Sequence, residues 1–208
     1  MNDLNMILDV ASEKHIGPNP SFSELHVAKA IETIGNQGIL GRNSLSKKLQ
    51  IGSGAIRTLI NRLKTTNIIS VSEYGCKLTD KGNSIYSELM YKIPRRMIID
   101  AGNLATDKYS AAILVSSSAA IVKSGVEERD AVIRSGGSGA TTLIYKKGKF
   151  IMKGGSRDCA KEYPDPVWNR ILGNLIPNED DVIIVVSASN VSRAEYGALA
   201  AALQLIMN

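Results

Sequence analysis

Apolar residues recur at helical spacing in five stretches before Pro94. Leu4, Ile7, Leu8 and Ala11 mark a short amphipathic helix ahead of the breaker Gly17-Pro18-Asn19-Pro20. Leu25, Ala28, Ile31 and Ile34 mark a second helix, which Ser21 or Ser23 can cap and which ends near Gly38. Leu45 and Leu49 place a third helix over Ser44 to Gln50, with a tight turn on Gly52 and Gly54 behind it. Ile56, Leu59, Ile60 and Leu63 at i, i+3, i+4 and i+7 define the fourth, which runs to about Lys64. The spacing of these last two predicts a helix-turn-helix supported by the second helix.

The period then changes. Ile68 to Ser72 alternates and is β-branched, Tyr74-Gly75 can turn, and Cys76-Lys77-Leu78 returns, which predicts a small hairpin. Thr79 caps a fifth helix with Ile85, Leu89 and Ile93 inward, stopped by Pro94. Beyond Arg95-Arg96, strand-length apolar runs at Tyr109 to Ser116 and Asp181 to Ser187 alternate with helices opening at Gly125-Val126, near Val167, and at Ser192, whose Glu195 completes a capping-box pattern. Ala140 to Lys146 and Lys149 to Lys153, joined through Lys147-Gly148, predict a β-hairpin. The whole reads as α+β: a helical domain over 1–94, then a domain over 95–208 with about four mostly antiparallel strands and helices on one face. The uncovered sheet face would meet another subunit or the first domain.

Charge adds to this picture. The formal net charge is +5, and the excess lies entirely in the first part: residues 1–96 carry 13 Lys and Arg against 8 Asp and Glu, while residues 97–208 carry 12 of each. Between Glu32 and Glu73 there is no acid, but there are Arg42, Lys47, Lys48, Arg57, Arg62 and Lys64. Clustered charge of one sign is the footprint of a polyanion binder. On the fourth helix the polar face holds Gly54, Thr58, Asn61 and Thr65, with Arg57 and Arg62 flanking it. Short polar groups there can read base edges in a major groove while the arginines reach phosphates or guanine. The expected DNA-binding residues are Arg42, Lys47, Ser53, Arg57, Thr58, Asn61, Arg62, Lys64 and Lys77.

The sequence carries few signatures of catalytic or cofactor chemistry. Gly136-Gly137-Ser138-Gly139 invites a phosphate-loop reading, but it leaves a helix and enters a strand, the reverse of a phosphate cradle. Ser138 lacks the nucleophile-elbow pattern. His15 and His26 are the only histidines, and both precede Pro94. Cys76 and Cys159 stand 83 positions apart without metal-ligand spacing or a disulfide framework. Asp158, Glu162 and Asp165 could gather around a cation, but they read better as a solvated loop. Arg129 and Asp130, with Thr141 and Thr142 on the next strand, could bind a polar small molecule, or the cluster could simply form an intradomain ion pair. No cofactor or metal is expected. The absence of a long apolar run, together with an N-terminus lacking leader character, leads us to expect a cytoplasmic protein without membrane contact.

Three helices, a hairpin and a trailing helix, with Gly75-Cys76-Lys77-Leu78-Thr79-Asp80-Lys81-Gly82 between the last two, resemble the winged-helix DNA-binding superfamily over roughly residues 20–93. The resemblance implies that Ser53 to Lys64 is the recognition helix and Glu73 to Lys77 the wing tip. The wing is short and bears Glu73, so it is expected to contribute little. The string Gly125 to Ala131 through Gly139 to Tyr145, behind such a domain, resembles an archaeal two-domain family whose C-terminal domain has no assigned function. These readings together predict a non-enzymatic DNA-binding transcriptional regulator that contacts double-stranded DNA. Its second domain would dimerise, sense a small effector, or both. Alternative readings are a protein-interaction or assembly module and a small-metabolite enzyme tethered to a winged helix.

Overall fold

The computed structural model describes residues 4–12 and 21–207. The chain forms two compact units that divide between Met90 and Tyr91.

The first unit contains α1 (Asn5–Ser12), α2 (Glu24–Gln37), β1 (Ile39–Leu40), α3 (Arg42–Leu49), α4 (Ser53–Thr65), β2 (Ile69–Ser72), β3 (Gly75–Leu78) and most of α5 (Asp80–Lys92). Ile7 and Val10 of α1 are buried, as is Leu4 just ahead of it, while the expected stripe residue Leu8 faces outward. The breaker at 17–20 lies outside the described residues. Ser23 caps α2, and its N–H donates to His26 Nδ1 at 3.1 Å. Burial and Lys29 hold the His26 ring below the ordinary histidine range, which keeps that nitrogen an acceptor. Between α3 and α4 the turn is made by Gln50 in the left-handed region and Gly52 as N-cap, so Gly54 already belongs to α4. The hairpin of β2 and β3 gains a third strand that the pattern did not predict, giving the order β1-β3-β2. Two residues are too few to show a period.

The second unit contains β4 (Arg95–Ile99), β5 (Tyr109–Val115), α6 (Val126–Arg134), β6 (Gly139–Lys146), β7 (Lys149–Ile151), α7 (Cys159–Glu162), α8 (Val167–Leu175), β8 (Val182–Ala188) and α9 (Val191–Ile206). Its sheet has five strands, not four, in the order β4-β5-β8-β6-β7, and every neighbouring pair is antiparallel. Strand β4 is not predicted by the pattern, because it opens on two arginines and leaves only Met97 to Ile99 as an apolar run. Its Met97 and Ile99 nevertheless pack inward, opposite Ala112 and Ser110 of β5.

Helices cover both sheet faces, which corrects the expectation of a bare one. On one face, Ala112, Leu114, Leu143, Ile183 and Val185 pack with Val167, Trp168, Ile171 and Leu175 of α8 and with Cys159 of α7. The Phe150 ring stands between Tyr145 and Trp168, at centroid distances of 5.4 and 5.1 Å, and Trp168 Nε1 donates to the Tyr163 carbonyl at 2.8 Å. On the other face, α6 and α9 lie against β6, β5 and β8. Helix α9 presents Ala194, Gly197, Ala198, Ala201 and Ala202 inward, and a Cβ at Gly197 would stand 2.9 Å from Val186 Cγ1. These small residues bring the helix axis close to the sheet. The N-cap of α9 is Asn190, whose Oδ1 accepts from Arg193 N, so the predicted Ser192 cap is the second residue of the helix, two positions past the true cap. No helix of the described residues is long and apolar enough to cross a membrane.

Candidate nucleic-acid interface

Helix α4 buries Ile56, Leu59 and Leu63 and leaves Ser53, Gly54, Arg57, Asn61, Lys64 and Thr65 exposed. At about 100° per residue these exposed positions form one continuous arc. Arg57 lies within that arc rather than at its edge. The Thr58 side chain is half-buried, and its Oγ1 donates to Gly54 O at 3.2 Å. The hydroxyl proton is therefore committed, and the outward lone pairs accept.

Arg62 is the exception and corrects the sequence reading. It is only 1% exposed, its Nη1 donates to the carbonyls of Val10 and Ala11 at 2.9 Å each, and its guanidinium sits 5.3 Å from the centre of the Phe22 ring. One further 100° step from Asn61 carries residue 62 out of the exposed arc and under α1, which packs on that flank of α4. Four apolar residues mark only part of a buried face, so the helical wheel could not reveal that α1 widens it. A cation stacked on an aromatic ring and capping the end of a helix has a structural role.

A groove of about 460 Å³ separates α3 and α4 from the wing. Gly41, Arg42, Asn43 and Ser44 line it from the start of α3, Arg57 and Ile60 from α4, and Val71 to Cys76 from the hairpin. Helix α3 begins at Arg42, two residues earlier than its apolar pair implies, and this brings Arg42 to the groove. Lys47 and Lys64 are exposed but do not line it. Lys77 is exposed on the outer face of the wing, in register with Ile39 and Ser70, whereas its neighbour Cys76 turns inward and is 2% exposed. Burial pushes the Cys76 thiol up, so it remains a small apolar side chain rather than a nucleophile. At the wing tip Tyr74 is 76% exposed and Val71 45% exposed. The sequence places Tyr74 beside the turn glycine, but its exposure together with Val71 is a property of the folded hairpin.

The second candidate cluster does not assemble. Arg129 and Asp130 pair with each other at 3.2 Å on the surface, about half exposed. Thr141 lies opposite Val185, whose side chain belongs to the α8 face, while Thr142 lies opposite Ile184 and faces α6, where Gly125 meets it. Consecutive strand residues point to opposite faces, so the two threonines cannot serve one ligand. The neighbouring residue missed by the sequence reading is Glu128, 3% exposed, whose Oε2 has no hydrogen-bond partner among the described residues. Burial and the charge of Glu127 hold its carboxyl above the ordinary glutamate range. The folded state therefore keeps a proton that the unfolded chain releases, and stability falls as pH rises from the unfolded value through the folded one. Glu128→Leu is expected to flatten that slope and to stabilise the unit by about 1 to 3 kcal/mol at neutral pH. Melting curves of both proteins between acid and neutral pH would check this, and parallel pH profiles would contradict it.

Comparison with known proteins bears on both units. Residues 28–93 match the CggR N-terminal DNA binding domain, and residues 106–205 match a domain of unknown function, DUF4443. The N-terminal unit thus has a DNA-binding domain match over most of its length, and the two-domain arrangement is supported. A search of curated proteins gives no match. A solved structure described as a hypothetical protein from Pyrococcus horikoshii OT3 shares the fold, with a TM-score of 0.63 and 24% identity over 87% of this chain and 92% of that one. Among the described residues no group of His, Cys, Asp or Glu could hold a metal ion, and both cysteines are free and buried.

Proposed function

We propose that the protein is a DNA-binding transcriptional regulator, without enzymatic activity, that inserts α4 into the major groove of duplex DNA. The observation carrying this reading is the exposed arc of α4, where Ser53, Arg57, Asn61 and Lys64 stand together beside Arg42 in a 40-residue stretch free of acids. Arg42 and Arg57 supply cations to the groove from the α3 and α4 side. Asn61 offers an amide matched to adenine, and Thr58 offers an acceptor. The wing, carrying Glu73 and Tyr74, adds little charge.

Dimerisation through the second unit remains part of the proposal, and it uses strand edges instead of a bare sheet face. β4 and β7 are the outer strands, and on β4 the Ile98 side chain is 43% exposed. A two-fold dimer would set two α4 helices on half-sites about one helical turn apart. Effector sensing by the same unit and a cytoplasmic location complete the reading.

Arg57→Ala is expected to weaken binding by about 1 to 3 kcal/mol and to reduce the salt slope by about one phosphate contact. Asn61→Ala is expected to lower discrimination between sequences with little change in that slope. Selection of bound fragments from a random duplex pool, followed by titrations at several salt concentrations, measures both effects. If both variants bound like the parent, α4 would not be the reading element. DNA affinity insensitive to salt would favour the protein-interaction reading.

A further inference from the structure

We propose that Gly54 is a specificity-determining position: its missing side chain lets the first turn of α4 seat against base edges at the depth Asn61 and Thr58 need to reach them. This rests on the DNA-binding reading above.

Glycine is unfavourable in a helix relative to alanine, so a helical glycine calls for a reason. Three helical glycines here have a packing reason. A Cβ at Gly35 would enter the Tyr86 ring, one at Gly82 would collide with the Ile68 carbonyl, and one at Gly197 would press on Val186. Gly54 has no such reason, since a Cβ there meets nothing within 4 Å and its φ lies outside the region that L side chains avoid. Gly173, in the last turn of α8, shares that openness but lies in the other unit, away from the acid-free stretch.

Position confers the role on Gly54. Gly54, Thr58 and Asn61 fall at i, i+4 and i+7, one stripe along the helix. Asn61 and Thr58 are short side chains, and a bidentate amide contact to adenine demands that the helix backbone lie deep in the groove. The long cations Arg57 and Lys64 reach outward from the same arc and tolerate that depth. A methyl at residue 54 would be the first atom of the stripe to meet the floor of the groove.

The test compares Gly54→Ala, Gly173→Ala and Arg57→Ala in the full chain. The probes are a duplex recovered by the parent from a random pool and a scrambled duplex of the same composition. Both glycine variants are expected to melt about 1 to 3 °C higher than the parent, because alanine restricts the unfolded chain. Of the two glycine variants, only Gly54→Ala should lose affinity for the selected duplex, by about tenfold, with the scrambled duplex nearly unaffected and the salt slope unchanged. Parent-like binding by Gly54→Ala while Arg57→Ala weakens would overturn this inference and leave the interface standing. So would an equal loss on both duplexes, or a lowered melting temperature. Parent-like binding by both variants would overturn the DNA-binding reading itself.

Discussion

Replacing Arg62 by alanine is expected to destabilise the N-terminal unit by about 3 to 4 kcal/mol, whereas the same change at Arg57 moves its stability by less than about 0.5 kcal/mol. The two residues lie five positions apart on one helix and carry the same charge, yet they occupy opposite environments. Arg62 is buried under α1, where its Nη1 serves the carbonyls of Val10 and Ala11 and its plane lies near Phe22. Truncation removes two charge-assisted hydrogen bonds, leaves two acceptors short of a donor, and opens space where the side chain packed. Urea denaturation followed by far-UV circular dichroism would measure the difference. DNA titration of the same variants should show the reverse order once Arg62→Ala is studied under conditions where it remains folded. Normal stability for Arg62→Ala together with a reduced salt slope would place that residue at the interface after all.

Phe150→Ala should cost the C-terminal unit a comparable amount, about 3 to 5 kcal/mol. Phe150 is 1% exposed and is held between Tyr145 and Trp168, so its removal leaves a cavity that two rigid rings cannot collapse to fill. Trp168 is the only tryptophan and lies in this unit, so its fluorescence follows the unfolding of this unit selectively. Phe150→Leu, which keeps much of the volume, should recover more than half of the loss. A Phe150→Ala variant as stable as the parent would show that the α8 side of the sheet is loosely packed.

Much of this architecture was legible in the sequence because each readable element had enough length to display its period. The stripes Leu25 to Ile34 and Ile56 to Leu63 located two helices, the change to alternation at Ile68 located the wing, and Asp181 to Ser187 located the central strand of the larger sheet to within a residue. What stayed hidden depended on neighbours. β1 and β4 become strands because β3 and β5 pair with them, not because Ile39-Leu40 or Arg95-Arg96 carries a pattern. The α7 and α8 side of the sheet was unreadable as a face, because strands buried on both sides lose their alternation. Within the candidate site, the exposed positions Arg57, Asn61 and Lys64 follow from the helical wheel alone. Arg62 does not, since its burial depends on α1, a helix separated from it by about fifty residues of chain. The openness around Gly54 likewise becomes visible only in three dimensions.

The strand order of the second unit also sets a timetable. β8 lies between β5 and β6, and Ser110 hydrogen-bonds across the sheet to Ser187, 77 positions along the chain. The β4–β5 and β6–β7 pairs need no other strand, but the two halves cannot join until β8 is threaded between them, so the loop entropy is spent before the central ladder forms. In the helical unit Arg62 reaches back to Val10 over 52 positions, and the whole of that unit precedes the sheet in the chain. During synthesis a folded DNA-binding domain would therefore precede the domain proposed to pair it, and the nascent chain would be able to engage DNA as a single arm before it could do so as a pair.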